Sequence, residues 1–540
     1  MPLYSLPMTR RAFLGQTALG VVTASLAAGG LPMGSVRAAA GEAPTKGGIL
    51  TYNLNGDPPN FDMLANTTSY VISAVGPCYN GLVRFDPTSP DTVIGDLAER
   101  WEVSEDGKVY TFHLLKSVKF HDGAPMTAAD VKFTFDTVKT PPKGYVSARA
   151  SSLEAVSEIR IVDDHTVEFI LSHASPSILP NLALGWMAVL PKHILEKGPM
   201  KEVVIGTGPF KLQDYVRGTS LELVRNDDYH VPDRPYLDGI KVYIIPDLGS
   251  VMAYFRTGEI QVFDYMPADL AKQAQEALSA THRVEAALNS DSFAIHFNTK
   301  RSPWDDVRVR KAVSLAVDRN AVIDTVMRGN GVQAGLTLPG KWQLPELRLH
   351  AIEGYAPLQT ADALDKAKTL LKEAGIEAGF QTVITARRIS RVEPWALMLQ
   401  SVLKNVGIEA RIDFQETAVF QETMQNRKFD INAGTASVTI NDPDATFGDK
   451  ILCNAPFNLS QICDPEFDRL YAEQSQTIDE QKRRAIVNDL EERVLQSYGL
   501  YNVAYARRFQ GQANAVRNYL LHTNPDNNKR FEEVWLANDV

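Results

Sequence analysis

Between residues 41 and 504 the sequence alternates short strand patterns with amphipathic helix patterns, and it does so in two separate runs. In the first run, "GGILTYNL" is a glycine pair followed by a period-two strand. "KVYTFHLL" puts Tyr110, Phe112 and Leu114 on one face and Val109, Thr111 and His113 on the other, a half-buried strand. A helix "TAADVKFTFDTV" follows, with Thr127 and Asp130 spaced as N-cap and N3. The second run begins with the strand "SFAIHFNT". The helix "DVRVRKAVSLAV" carries Val309, Ala312, Val313, Ala316 and Val317 on one stripe. "FQTVIT" is a strand, and a helix then starts near Pro394 and stops at Gly407. "IEARIDF" and "FDINAG" are strands on either side of the short helix "AVFQETMQN". Thr477 and Glu480 are spaced as a capping box for a long helix through Gln496, and "GLYNVAY" reads as a strand.

Such spacing predicts an α/β fold with a largely parallel sheet covered by helices. The two runs define two bodies, 41–288 and 289–504. The tail 505–540 has too few apolar residues for a core of its own and is expected to pack on the first body. The chain would then cross between bodies twice, near 289 and 504, making a hinge with a cleft beside it.

The N-terminus sets the compartment. Arg10 and Arg11 are followed by an uncharged run, Ala12–Leu31, rich in Gly, Ala, Thr and Ser, and Ala38 and Ala40 give a small-x-small cleavage pattern. A basic start, a modestly apolar middle and a small-residue end make a secretory signal rather than a membrane anchor. "TRRAFL" resembles the twin-arginine export signal. Removing residues 1–40 leaves 52 basic residues against 65 acidic, a net charge of −13. A surface that acidic disfavours nucleic acid, and no dense Lys/Arg run follows residue 40. The mature chain is expected to be periplasmic and monomeric. Of three cysteines, Cys453 and Cys463 flank a turn-like "NAPFNLSQI" and are expected to form a bridge worth about 3 kcal/mol. Cys78 would then be a buried free thiol.

Motifs for chemistry fail on inspection. "GLTLPGKW" (335–342) resembles a phosphate loop as far as Lys341, but Trp342 stands where a Ser or Thr hydroxyl is needed and Pro339 removes an amide. "GTGPF" lacks the helix that a dinucleotide fingerprint opens. No HExxH, CxxC or GxSxG occurs, so no metal or cofactor is expected. An exported hydrolase with paired carboxylates is the rival class.

One set of stretches is specific. "LAERWEVSEDGKVYTFHLLKSVKFHDGAPMTAADVKFTFD" (97–136) resembles the hallmark of the peptide/nickel/opine family (family 5) of extracytoplasmic solute-binding proteins. "YNGLVRFDP" (79–87), "GTGPFKL" (206–212), "FNTKRSPWDDVRVRKAVSLAVDR" (297–319) and "NDPDATF" (441–447) agree with it in order. The resemblance implies a two-lobed periplasmic-binding-protein fold, type II and cluster C-like. Lobe I would be 41–288 plus 505–540 with an insert at about 82–205, and lobe II would be 289–504. It also implies a non-enzymatic receptor of an ABC importer, which captures a peptide or peptide-like solute in the cleft and docks on permease subunits. Opines, nickel chelates and oligosaccharides are the alternative cargoes.

In peptide-binding relatives an aspartate just before the "DPD" segment holds the ligand's ammonium group. The matching position here is Thr439, or Asp442 if the register slips by three. A hydroxyl cannot neutralise an ammonium. The relatives' carboxylate anchor is an arginine in the loop after the strand equivalent to "FQTVIT", here Arg387 or Arg388 with Arg391 behind. The implied solute is therefore peptide-like or opine-like, acidic, and without a conventional free amino terminus. Tyr52, Trp186, Trp395 and Phe447 are candidate aromatic cleft walls.

Overall fold

The computed structural model describes residues 42–537 apart from 146, 439, 454 and 456. The export signal (1–40) and Thr439 therefore lie outside the described residues.

Alternation builds the strands as expected where one face is buried. In Val109–Leu114 the side chains of Tyr110, Phe112 and Leu114 point into the core, and Phe112 meets Phe169 edge-on at 5.4 Å. This strand belongs to an antiparallel four-stranded sheet ordered Ala98–Val103, Val109–Leu114, Thr166–Leu171, Val156–Asp163. The helix Ala128–Lys139 packs on it. Its N-terminus is closed by Asp130, whose carboxylate accepts the Thr127 amide at 2.9 Å.

A second, larger sheet runs through the whole molecule. Its spatial order is Ile408–Gln415, Phe380–Arg387, Ile431–Ser437, His282–Phe297, Leu500–Ala513, Val262–Met266, Ile49–Leu54, Gly239–Ile244, Ser220–Arg225 and Phe210–Val216. The short strand Gly331–Val332 also pairs with Leu500–Ala513. The sheet is mixed rather than largely parallel. Only four pairings are parallel: Ile49–Leu54 with Gly239–Ile244 and with Val262–Met266, and Phe380–Arg387 with Ile408–Gln415 and with Ile431–Ser437. The antiparallel pairings come from the meander over 210–244 and from the two strands that run between the bodies. The chain leaves on one and returns on the other, so they must oppose each other.

Those two strands, His282–Phe297 and Leu500–Ala513, pair from His282 opposite Ala513 to His296 opposite Leu500. The ladder is interrupted twice near its middle: the larger break is where Leu288 faces Arg507 and Ser292 faces Tyr505, so Asn289, Ser290 and Asp291 stand against Ala506 alone, and the smaller skips Val503 between the pairs Phe293–Ala504 and Ala294–Asn502. Extra residues on one strand break pairing and bend it, which gives the bodies a hinge.

The apolar side chains gather on either side of that break. One core joins strand and helix residues from Leu50 to Val262 with Val516, Tyr519, Phe531 and Val534 of the tail. Another joins residues from Phe293 to Ala504, including the predicted stripe Val309, Ala312, Val313, Ala316 and Val317. A smaller third core lies under the helices Leu248–Thr257 and Ala268–Leu278. Lobe I and lobe II below denote the bodies around the first and second of these cores.

The long C-terminal helix spans Glu480–Ser497, but its cap differs from the expected one. Thr477 donates its hydroxyl back to Glu473 O at 2.7 Å, so it closes the preceding helix Pro465–Ser475. Asp479 is the N-cap, accepting the Lys482 amide at 2.9 Å. Cys453 and Cys463 are joined by a disulfide with a Cα–Cα distance of 4.4 Å, and Cys78 is free and buried.

The two glycine-rich stretches have structural explanations. A Cβ on Gly206 would come within 2.1 Å of Cys78 O, so "GTGPF" packs its backbone against the Cys78–Tyr79 segment. In "GLTLPGKW" the amides of Leu336 and Thr337 do form an anion cradle, but its anion is internal. Both donate to Glu491 Oε1, at 2.6 and 2.9 Å, and the Thr337 hydroxyl donates to Oε2 at 2.8 Å.

Candidate functional site

Two cavities of about 370 Å³ each lie along the seam between the lobes, and each has walls from both. The first is bounded by Phe85, Trp101 and His522 from lobe I and by Trp342, Asn441 and Arg483 from lobe II. The second is bounded by Met266 and Phe509 on one side and by Asp291, Arg391 and Thr435 on the other. The strand Ile431–Ser437 ends between them. Its Thr435 lines the second cavity, while Val438, Ile440 and Asn441 line the first. The end of that strand thus forms the partition between the cavities, and Thr439 is outside the described residues.

The lobes touch across the seam. Ile440, 4% exposed, packs into the core of lobe I. Asn441 Nδ2 donates to Asp91 Oδ1 at 2.9 Å. Ile478 sits directly over Gly107.

Asp442 has a structural job. It caps the helix Pro443–Phe447 through the Asp444 amide at 2.9 Å and takes both arms of Arg483, at 2.7 and 2.9 Å. Both side chains are 3% exposed. Burial works against the Arg483 charge, but Asp442 beside it and the bonds between them raise its pKa. Asp442 is therefore already paired in this arrangement.

The predicted arginines are distributed differently. Arg387 donates from Nε to Thr417 Oγ1 at 3.0 Å, and Arg388 pairs with Glu416 at 3.3 Å, its guanidinium over Phe414. Neither lines either of these two cavities. Arg391 does, and it binds Asp291 at 2.7 Å. Asp291 also accepts the Ser437 hydroxyl. Beside them Lys450 donates to Ser437 O, and burial, only partly offset by Asp449 and Asp291, brings its pKa down to about 8.

All four aromatic candidates are core residues. Trp395 is fully buried against Phe293 and donates to Ala294 O at 3.3 Å. Phe447 is fully buried in the lobe II core. Tyr52, 1% exposed, donates to Ser73 O and packs on Phe531. None of the four lines either cavity. Trp186 is 5% exposed; its indole donates to Asp526 at 3.1 Å and Arg149 stacks on its face at 4.1 Å. The aromatic walls of the first cavity are instead Phe85, Trp101 and Trp342. Nothing in their local sequence separates them from core aromatics.

A further polar cluster stands behind the seam in lobe I. Asp264 accepts from Lys529 Nζ and, at 2.9 Å, from Gln510 Nε2, and Arg508 Nη2 lies 3.6 Å away. Burial raises the Asp264 pKa, but the Lys529 and Arg508 charges and the bonds from Lys529 and Gln510 outweigh it and hold it below the ordinary carboxylate range. The alternation Arg508, Gln510, Gln512 on a buried strand face was the available sequence signal for this cluster. Among the described residues no group of three or more His, Cys, Asp or Glu is placed to hold a metal ion.

Two α/β lobes joined by a broken two-stranded hinge, with cavities walled from both sides, define a protein of the two-lobed solute-binding class. Comparison with known sequences gives the family. Residues 92–454 match bacterial extracellular solute-binding proteins, family 5, and the chain belongs to that family. The dipeptide-binding protein of Escherichia coli K12 is 31% identical over 519 residues, covering 90% of this chain and 94% of that one. The dipeptide-binding protein of Pseudoalteromonas sp. SM9913, solved with Met-Leu, superposes with a TM-score of 0.73 at 26% identity, over 91% of this chain and 99% of that one. The oligopeptide-binding protein AppA of Bacillus subtilis, solved with a nonapeptide, gives 0.71 at 25% identity, over 92% and 100%. No helix among the described residues is long and apolar enough to cross a membrane.

Proposed function

We propose that this chain is exported through its twin-arginine signal, captures a short acidic peptide-like solute between its lobes, and presents it to the membrane subunits of an ABC importer without chemical change. The observation that carries this reading is the pair of cavities of about 370 Å³ along the seam, each walled by both lobes. A solute that touches both lobes binds the closed form more tightly than the open one, and only that difference can drive closure. The volume lies at the small end for organic ligands. It suits a di- or tripeptide rather than the nonapeptide held by the Bacillus relative.

The charge pattern supports an acidic solute without a free amine. The carboxylates flanking the partition are engaged, Asp442 by Arg483 and Asp291 by Arg391. Thr439 cannot supply the charge that a buried ammonium needs. Isothermal titration with a dipeptide and its N-acetylated form tests this. The acetylated form should bind at least as tightly. A strict requirement for the free amine would discard the reading, and hydrolysis of a bound peptide would discard the receptor role.

A further inference from the structure

Arg508 has hydrogen-bonding capacity that the fold does not use. It is 7% exposed, yet Nε and Nη1 are shielded from water and meet no acceptor, and Nη2 stops 3.6 Å from Asp264 Oδ1. A buried guanidinium with unmet donors is costly. Asp264 does not offset that cost through hydrogen bonds, because its oxygens take Lys529 and Gln510 instead.

Its position is as informative as its bonding. Arg508 lies on the strand Leu500–Ala513 one residue beyond the break in the hinge ladder, where Arg507 faces Leu288. Side chains alternate along a strand, so Arg508 points away from Arg507 and Phe509, which line the second cavity. Its charge is felt by His522, a wall of the first cavity, and by Asp526, whose chain neighbour Asn527 also lines that cavity. Under the guanidinium, 5.3 Å away, is the ring of Tyr265. Tyr265 is 40% exposed, sits at a bulge in Val262–Met266 and has φ +54°, a conformation that a bulky residue holds only under constraint. Met266 and Pro267, which follow it, line the second cavity. Arg508 and Tyr265 themselves line neither cavity, but chain neighbours of both, Arg507, Phe509 and Met266, line the second.

We infer that Arg508 is the anchor for the acidic group of the solute, a carboxylate reaching the floor of the cleft. The inference rests on the reading of this chain as a receptor for acidic peptide-like solutes. The other cations near the partition already have acceptors: Arg391 holds Asp291, Arg387 holds Thr417, Arg388 holds Glu416 and Lys450 holds Ser437 O. Arg507 is half-buried and can be hydrated, whereas Nε and Nη1 of Arg508 are shielded from water. Within the triad, Arg508 and Lys529 outweigh Asp264 by one positive charge, which matches a carboxylate monoanion better than a phosphate dianion.

The test is a set of dipeptides, each as free acid and as C-terminal amide, and each with free and acetylated amino terminus. They are titrated by calorimetry into the wild type, R508Q and R508K. For every dipeptide that binds the wild type, the acid should bind about 10- to 100-fold more tightly than the amide, the worth of a charge-assisted hydrogen bond. In R508Q that ratio should collapse towards one, because the acid loses affinity and the amide does not. R508K keeps the charge without the planar donors, and its ratio should fall several-fold without vanishing. If R508Q does not fold, the fall in R508K is the deciding reading. An acid-to-amide ratio unchanged in either folded variant overturns the assignment of Arg508 and leaves the receptor reading standing. Failure of every dipeptide to bind the wild type overturns the peptide reading, and the anchor falls with it.

Discussion

Replacing Arg483 with methionine should destabilise lobe II far more than the loss of one surface charge would. Arg483 projects from the helix Glu480–Ser497 and fixes three partners: both oxygens of Asp442 at 2.7 and 2.9 Å and Gln474 Oε1 at 3.0 Å. Its guanidinium also lies 4.9 Å above the Trp342 ring, in the wall of the first cavity. With both members of the ion pair only 3% exposed, R483M strands the Asp442 carboxylate in the interior, a change that costs about 3–5 kcal/mol. Making the pair neutral removes the stranded charge, so D442N/R483M should recover about 2 kcal/mol or more of that loss. Urea unfolding followed by tryptophan emission reports the event, since the buried Trp304 and Trp395 of lobe II pass into water. The pH dependence gives an independent sign. In R483M the buried Asp442 would have a folded pKa above its unfolded one, so the native state binds more protons and the deficit should shrink as pH falls. An R483M variant within about 1 kcal/mol of wild type, or a double variant no more stable than R483M, would refute the argument that this pair holds the 440–444 segment in place.

Further outcomes follow from the same structure. His522, His296 and His121 are held by burial at pKa values of about 4 against an ordinary 6.5. Between pH 6.5 and 4 the unfolded chain binds the extra protons, so stability should fall as pH falls through that window, and H522N should flatten the slope of denaturation midpoint against pH. C453S/C463S should cost about 2–4 kcal/mol and lower the calorimetric Tm by several degrees; an unchanged Tm would contradict a constraining role for that bridge. D91A removes an exposed interlobe contact to Asn441 worth about 1 kcal/mol or less. It should weaken dipeptide affinity by no more than about fivefold while expanding the free protein in solution scattering; a larger radius without any change in affinity would separate that contact from ligand-driven closure.

Much of the architecture was legible in the sequence because it follows from burial. Tyr110, Phe112 and Leu114 alternate because one face of their strand meets a core, and the stripe Val309–Val317 repeats because one helix face does. Strand direction was not legible. The meander over 210–244 and the returning strand Leu500–Ala513 carry the same alternation as parallel strands, and helix spacing elsewhere suggested the wrong rule. The cap at Thr477 was misplaced because a capping-box spacing cannot show that the hydroxyl is taken by Glu473 O, or that the carboxylate of Asp479 is the nearer acceptor. Cleft aromatics were least legible: Trp395 and Phe447 in the core and Trp101 and Trp342 in a cavity wall obey the same apolar pattern. The buried polar face Arg508, Gln510 and Gln512 broke that pattern and could have been noticed on those grounds.

The hinge and the cluster behind it belong to one arrangement. The strands that carry the chain between lobes also carry Asp291, within the larger ladder break, and Arg508, on its lobe I side. A solute held at Arg508 would be fixed to the lobe I side of that break, and contacts with Val438, Ile440 and Asn441 would fix it to the lobe II side. Bending at Asn289–Asp291 then changes the distance between the two grips more than it disturbs either grip, because each sits on a sheet that continues into its own core. Closure can therefore be driven by the second grip alone, and the first can stay formed in the open state as a landing point. A ligand truncated at its acidic end should lose affinity in both forms, while one truncated at the opposite end should still bind weakly without closing the lobes.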